Sequence, residues 1–219
     1  MPRANAVRPY KDIMIYKNAI LEDIVISALC KSYNGVAVLS RLDARFPASG
    51  LVCITGPSGS GKSTLAELIA GVREPDSGSV SGLEARCVSM QFGDDRLIPF
   101  STALENIMFV MKDRQTRAEA LELLGRLGIA GAADKFPAQL STGMRRRVSL
   151  ARALLYPHDV LILDEPFKGL DGETRLQAHE VVRAYYRPGD LLILITHDPI
   201  DAAILQPLGI EARMFSMQN

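Results

Sequence analysis

Cysteine is scarce in this chain of 219 residues: Cys30, Cys53 and Cys87 are the whole supply, and none forms a C-x-x-C pair. Cys53 and Cys87 sit in apolar runs, and the set reads as buried, reduced thiols. An excess of charge is missing too, since 25 Lys plus Arg balance 25 Asp plus Glu. A general nucleic-acid binder usually carries a basic excess, and an acidic tail would tip the balance the other way. No apolar run approaches the ~18 residues of a membrane span. Met1 to Lys17 has charges but no apolar core, so it is not a secretory signal. Residues 1–21 read as an extension of the fold, with Met14 an alternative start. Internal repeats and low-complexity segments are absent. These absences predict a cytoplasmic protein that reaches a membrane only through a partner.

What is present is ordinary for a globular chain, with 47% hydrophobic and 23% charged residues. The length supports a core without a disulfide or metal staple, as one large domain or one domain with an inserted lobe. Ile24 to Ile26 and Val36 to Leu39, joined at Asn34-Gly35, read as an antiparallel edge. Leu51 to Ile54, Val160 to Leu163 and Leu191 to Ile195 are near-continuous apolar runs, the pattern of parallel strands buried on both faces. Each run ends in polar residues, and ligands of open α/β sheets bind beyond the carboxyl ends of the strands. Residues 95–155 carry helical stripes instead: Ala120, Leu121, Leu124 and Leu127, then Met144, Val148, Ala151 and Leu155. The expected fold is α/β, with a helical subdomain inserted in the core.

Gly56-Pro57-Ser58-Gly59-Ser60-Gly61-Lys62-Ser63-Thr64 fits G-x-x-x-x-G-K-S/T between a strand and a helix. Its glycines let backbone N–H groups point at phosphate oxygens, and the helix N-terminus adds positive potential. Lys62 would reach the β- and γ-phosphates and Ser63 would supply a hydroxyl to Mg²⁺. Alone, the motif indicates a nucleoside triphosphate. Val160 to Leu163 ends in Asp164-Glu165: the first carboxylate is placed to hold Mg²⁺ and the second to polarise an attacking water.

Leu140-Ser141-Thr142-Gly143-Met144, followed by Arg145-Arg146-Arg147-Val148-Ser149-Leu150-Ala151-Arg152-Ala153, adds a specific signal. With the phosphate loop and acid pair it resembles the signature L-S-G-G-Q of ATP-binding cassette (ABC) ATPases, over about residues 22–215. The resemblance implies a P-loop NTPase (RecA-like) core and two Mg-ATP sandwiched in a head-to-tail dimer. Ser141 and Gly143 would meet the γ-phosphate held by the second subunit. Thr142 and Met144 depart from the signature, Met144 as in nitrate, sulfonate and taurine importer cassettes. The stretch Asp95-Arg96-Leu97-Ile98-Pro99-Phe100 with Leu104-Glu105-Asn106 resembles the same importer group.

Carried over residue by residue, Tyr33 resembles the aromatic that stacks on adenine, and Gln91 the glutamine that senses Mg²⁺ and attacking water. His197 resembles the switch histidine on the γ-phosphate. Gly169-Leu170-Asp171 resembles a loop touching the opposite subunit, with Lys168-Gly169 in place of the usual small pair. His158 and His179 have no such context and read as structural or solvated. Arg145, Arg146 and Arg147 fan around a helix and read as a solvated face with local ion pairs. The implied partners are a membrane permease, docked by a short helix in a groove between lobe and Gln91 segment, a second copy of the chain, and indirectly a solute-binding protein. The implied place is the cytoplasmic face of a membrane. The chain ends soon after His197, so no C-terminal regulatory domain is expected. The competing reading is a soluble cassette that uses ATP only to dimerise.

Overall fold

A computed structural model describes residues 21–112, 115–205 and 212–217. The expected extension, Met14 included, lies outside the described residues apart from Leu21. The chain opens with a hairpin, β1 (Ile24–Tyr33) and β2 (Val36–Phe46), whose turn Asn34-Gly35 has both φ angles positive (49° and 80°). That pair of left-handed residues matches the twist of a two-residue hairpin. Then come β3 (Gly50–Thr55), α1 (Lys62–Ile69), β4 (Ser77–Ser81) and β5 (Val88–Gln91). The lobe follows with α2 (Ala103–Met108), α3 (Arg117–Arg126) and α4 (Thr142–Leu155). The chain returns through β6 (Val160–Asp164), α5 (Gly172–Tyr185), β7 (Leu191–Ile195), α6 (Pro199–Leu205) and β8 (Ala212–Ser216).

The three apolar runs are adjacent parallel strands. The main sheet has the order β5-β6-β7-β3-β8, and all its pairings are parallel. Every residue of β6 and β7 is buried. Alternation divides these strands between two cores. Leu51, Cys53, Leu161, Leu163, Leu192 and Leu194 face α4, α5 and the lobe. Val52, Ile54, Val160, Ile162, Ile193 and Ile195 face α1 and the hairpin.

The antiparallel strands are not an edge of that sheet. They form a sheet of their own, in the order β2-β1-β4, layered on the core through Ile24, Ile26, Leu29, Leu39 and Phe46. Both hairpin strands run longer than the sequence pattern suggested, because β-bulges in β1 break its alternation.

Both lobe helices α2 and α3 open with capping boxes, Thr102 with Glu105 and Thr116 with Glu119. The buried stripe of α3 is Ala120, Leu123, Leu124 and Leu127, whereas Leu121 is exposed. Leu123 completes the i, i+3, i+4, i+7 face, and Leu121 lies 100° off it. On α4 the expected stripe holds: Val148, Ala151 and Leu155 are buried and Met144 packs at its margin.

Candidate active site

The phosphate loop runs from β3 into α1. Gly56, Gly59 and Gly61 have φ of 146°, 82° and 92°, a region that L side chains avoid. A Cβ on Gly61 would stand 2.9 Å from Leu39 Cδ2, and one on Gly56 would stand 2.7 Å from the Met217 carbonyl. A Cβ on Gly59 would meet nothing. The loop is thus pressed on β2 and the segment after β8 at its ends and open at its crest. Pro57, Ser58 and Ser63 are exposed, Thr64 is half-buried, and Ser60 is buried with no partner for its Oγ. No side chain caps α1 at Gly61. Its first N–H groups are left for an anion. Lys62 is buried, with Nζ donating to the Gly56 and Pro57 carbonyls at 2.9 and 2.7 Å. Burial pulls its pKa down, and the Glu165 and Asp164 carboxylates oppose this.

Asp164 ends β6 on the face that looks toward α1. Burial raises its pKa, the nearby Ser63 hydroxyl opposes the rise, and the charge of Glu165 adds to it. A carboxylate and a hydroxyl side by side are the oxygen donors a hard cation prefers. Among the described residues no group of three or more His, Cys, Asp and Glu is arranged to hold a metal ion. A cation such as Mg²⁺ would therefore draw its other ligands from phosphate and water, its usual habit.

Glu165 adopts φ 48°, a strained angle for a non-glycine residue. Its N–H donates to the Ile195 carbonyl at 2.9 Å, which ties the turn after β6 to the end of β7. His197 follows that end, and its Nε2 lies 2.6 Å from Glu165 Oε1. Lys168 pairs with the other carboxylate oxygen. Burial would raise the Glu165 pKa, but Lys168, His197 and Lys62 outweigh it and hold the group lowered. Beneath His197 lies a polar network. Thr196 Oγ1 donates to Asp201 at 2.6 Å, and His179 Nε2 lies 2.9 Å from the other Asp201 oxygen. Arg175 bridges Asp198 and Asp201. His179 and His158 are both buried, in keeping with structural roles.

Gln91 is not at the acid pair. It pairs in register with Leu163, so its side chain shares Leu163's face, toward α4, and not that of Asp164. It is fully buried, with Nε2 3.5 Å from the Arg146 carbonyl and Oε1 unpartnered. The residue beside the Asp164 carboxylate is Gly93, where a Cβ would stand 3.2 Å from Asp164 Oδ2. The roles expected of Gln91 as a metal-sensing and catalytic group are therefore withdrawn. Tyr33 ends β1 half-buried, with Arg73 Cζ 5.4 Å and Lys31 Nζ 5.8 Å from its ring centroid.

Ser141 caps α4, its Oγ accepting from Met144 N at 3.2 Å. Ser141 and Thr142 are exposed, so the start of this helix faces outward. Thr142 Oγ1 accepts from Arg145 at 3.2 Å. Gly143 lies against Leu170, to which a Cβ would be 3.5 Å. Asp171 caps α5, accepting from Thr174 N at 3.0 Å.

The arginines of α4 are not a solvated face. Arg145 donates to the Leu140 carbonyl, Arg147 to those of Gly143 and Leu127, and Arg152 to those of Asp95 and Arg96. Arg146 is buried among four groups of the active-site loops. Three consecutive residues fan so widely that one must point inward, and backbone carbonyls at loop ends accept what a core of side chains would not. The free cysteines Cys53 and Cys87 are buried, but Cys30 is only half-buried. Burial pushes the Cys53 thiol up to about 11.

A family model described as ABC transporter matches residues 39–168. A Rhodococcus jostii protein named aliphatic sulfonates import ATP-binding protein SsuB 1 is 40% identical over 178 residues, 79% of this chain and 72% of that one. A protein named aliphatic sulfonates import ATP-binding protein SsuB from Albidiferax ferrireducens is 37% identical over 192 residues, 84% of this chain and 68% of that one. Two solved dimeric structures of one bacterial ABC transporter cassette, the first bound to ADP and Pi in a post-hydrolysis state, have the same fold. Their TM-scores are 0.76 and 0.75 at 26% identity, covering 89% and 88% of this chain and 94% of each of theirs. The chain belongs to the ABC transporter family and is an ATPase of the ATP-binding cassette type.

Proposed function

We propose that this chain is the motor subunit of a solute importer, hydrolysing Mg-ATP between two of its own copies and driving a membrane permease. The observation that carries the reading is the division of the site. The phosphate loop, Asp164, Glu165 and His197 converge at the strand ends, while the Ser141-capped start of α4 faces outward. A helix N-terminus on the surface is a half-site for an anion held elsewhere. Ser141 and Gly143 then meet the γ-phosphate bound by the second copy, and Tyr33 stacks on adenine.

Ser63 and Asp164 would hold a Mg²⁺ ion, whose charge would offset that of the phosphates. Gly56 to Gly61 cradle the phosphates by backbone N–H donation, and Lys62 leaves its two carbonyl partners for the β- and γ-oxygens. Glu165 takes the proton of the attacking water, and His197, already on its carboxylate, keeps it aimed at the γ-phosphorus. Hydrolysis and phosphate release reopen the pair, and that motion drives the permease.

No described helix is long and apolar enough to cross a membrane, so the place we assign, the cytoplasmic face, depends on the permease. The solute we assign is of the sulfonate, nitrate or taurine kind, delivered by a solute-binding protein. The names of the relatives above support it. Co-purification of the tagged chain from native membranes in mild detergent tests the proposal. A multi-span permease in stoichiometric yield is the expected result. Normal ATPase activity with no permease would overturn it in favour of a soluble ATP-dependent dimerisation switch.

A further inference from the structure

Arg146 stands on the first turns of α4, one turn behind the outward-facing Ser141 and Thr142. Its guanidinium is buried and makes contacts in three directions. Nε lies 3.4 Å from Asp95 Oδ1. Nη1 donates to the carbonyls of Glu165 at 3.2 Å and Lys168 at 3.3 Å. Nη2 donates to the Gly93 carbonyl at 2.8 Å, and Gly93 is the residue against Asp164. Asp95 is held in turn by Arg145, 3.9 Å away, and by Arg152, which donates to its carbonyl at 2.9 Å. Both Asp95 and Glu165 have positive φ, 57° and 48°, a region that is costly for non-glycine residues, so the two loops that Arg146 bridges need support from their surroundings.

We infer that Arg146 is a positioning residue for hydrolysis: it holds the strained peptide of Glu165 and ties that carboxylate to the helix whose start meets the partner copy's nucleotide. The planar fork of an arginine suits this, since it donates to several carbonyls at once and keeps its charge when buried. Helix α4 is a stiff rod, so a shift of its start on closure moves Arg146 and the peptide of Glu165 with it. One protomer's catalytic carboxylate is then set by the other protomer's ATP. The inference rests on the reading of Glu165 as the general base.

The test measures ATPase kcat and the Kd of a fluorescent ATP analogue for the full chain and for Arg146→Gln, Glu165→Gln and the double variant. Arg146→Gln is expected to lower kcat by about tenfold or more with Kd within about threefold, the pattern of a group that matters only in the transition state. In the Glu165→Gln background the same change is expected to alter kcat by less than about twofold, because the two residues act as a unit. A folding defect alone would not give that epistasis. Arg146→Lys, which keeps the charge but not the fork, is expected to recover only part of the rate. A kcat within twofold of wild type for Arg146→Gln, or a full multiplicative loss in the double variant, would overturn the inference. If Arg146→Gln does not fold, Asp95→Asn decides: a loss in kcat alone supports it, and unchanged kcat overturns it. Wild-type turnover by Glu165→Gln would remove the reading beneath it, a result that does not involve Arg146.

Discussion

The strand core and the seam that joins the helical lobe to it are built from different forces. In β3, β6 and β7 nearly every side chain is apolar and buried, and the functional residues hang from the strand ends. Burial of that kind is strong and non-directional, and a close-packed core yields little. Across the seam, beside its apolar contacts, Arg146 donates to the carbonyls of Gly93, Glu165 and Lys168 and Arg152 to those of Asp95 and Arg96; within the lobe Arg145, Arg147 and the buried Asn106 fasten backbone in the same way. Asn106 Nδ2 donates to the Ile98, Ser101 and Thr102 carbonyls, and its Oδ1 accepts from Ile98 N at 2.7 Å. Such bonds are directional, and a set of them suits an interface with two discrete arrangements. The core fixes where the chemistry is, and the seam can carry motion to it.

The largest expected effect breaks the core. Leu194→Ala removes a fully buried side chain from the central strand, a change that destabilises by about 2–5 kcal/mol. Thermal unfolding should shift down by roughly 5–15 °C as one cooperative event. A local effect confined to the lobe would contradict the contrast drawn above. Asn106→Ala comes next. It strands buried backbone groups, at about 1–3 kcal/mol. Hydrogen exchange should accelerate in residues 98–108 while β6 and β7 stay protected. Equal acceleration in the strands would erase the distinction between core and seam. Lys168→Ala is the smallest. Lys168 helps to hold the Glu165 pKa lowered, and removing it leaves a stronger base. A rise in kcat of up to about threefold is expected. A fall would show that Lys168 holds the carboxylate in place instead.

The same contrast marks what the sequence discloses. Leu51 to Ile54, Val160 to Leu163 and Leu191 to Ile195 are readable because burial on both faces leaves an unbroken apolar run. The glycines and Lys62 are readable because phosphate chemistry dictates their spacing. β4 is not, since Ser77–Ser81 has a single apolar residue and is held by backbone pairing to β1. The place of Gln91 is not readable, because its face depends on register, and a glutamine two residues before Gly93 looks equivalent until Leu163 is known to be its neighbour. Arg146 is hidden for a similar reason: among three adjacent arginines only tertiary packing decides which is inside. The T-x-x-E spacing that opens two lobe helices at Thr102 and Thr116 is a further sequence signal, one that the apolar stripes alone do not contain.

The central claim is that Glu165 drives hydrolysis in a site completed by a second copy. Glu165→Gln with Mg-ATP, followed by light scattering and phosphate release together, tests it most directly. The account predicts a stable dimer that persists with ATP and turns over at least ~100-fold more slowly than wild type. Turnover at the wild-type rate, or a variant that binds ATP and stays monomeric, would contradict it.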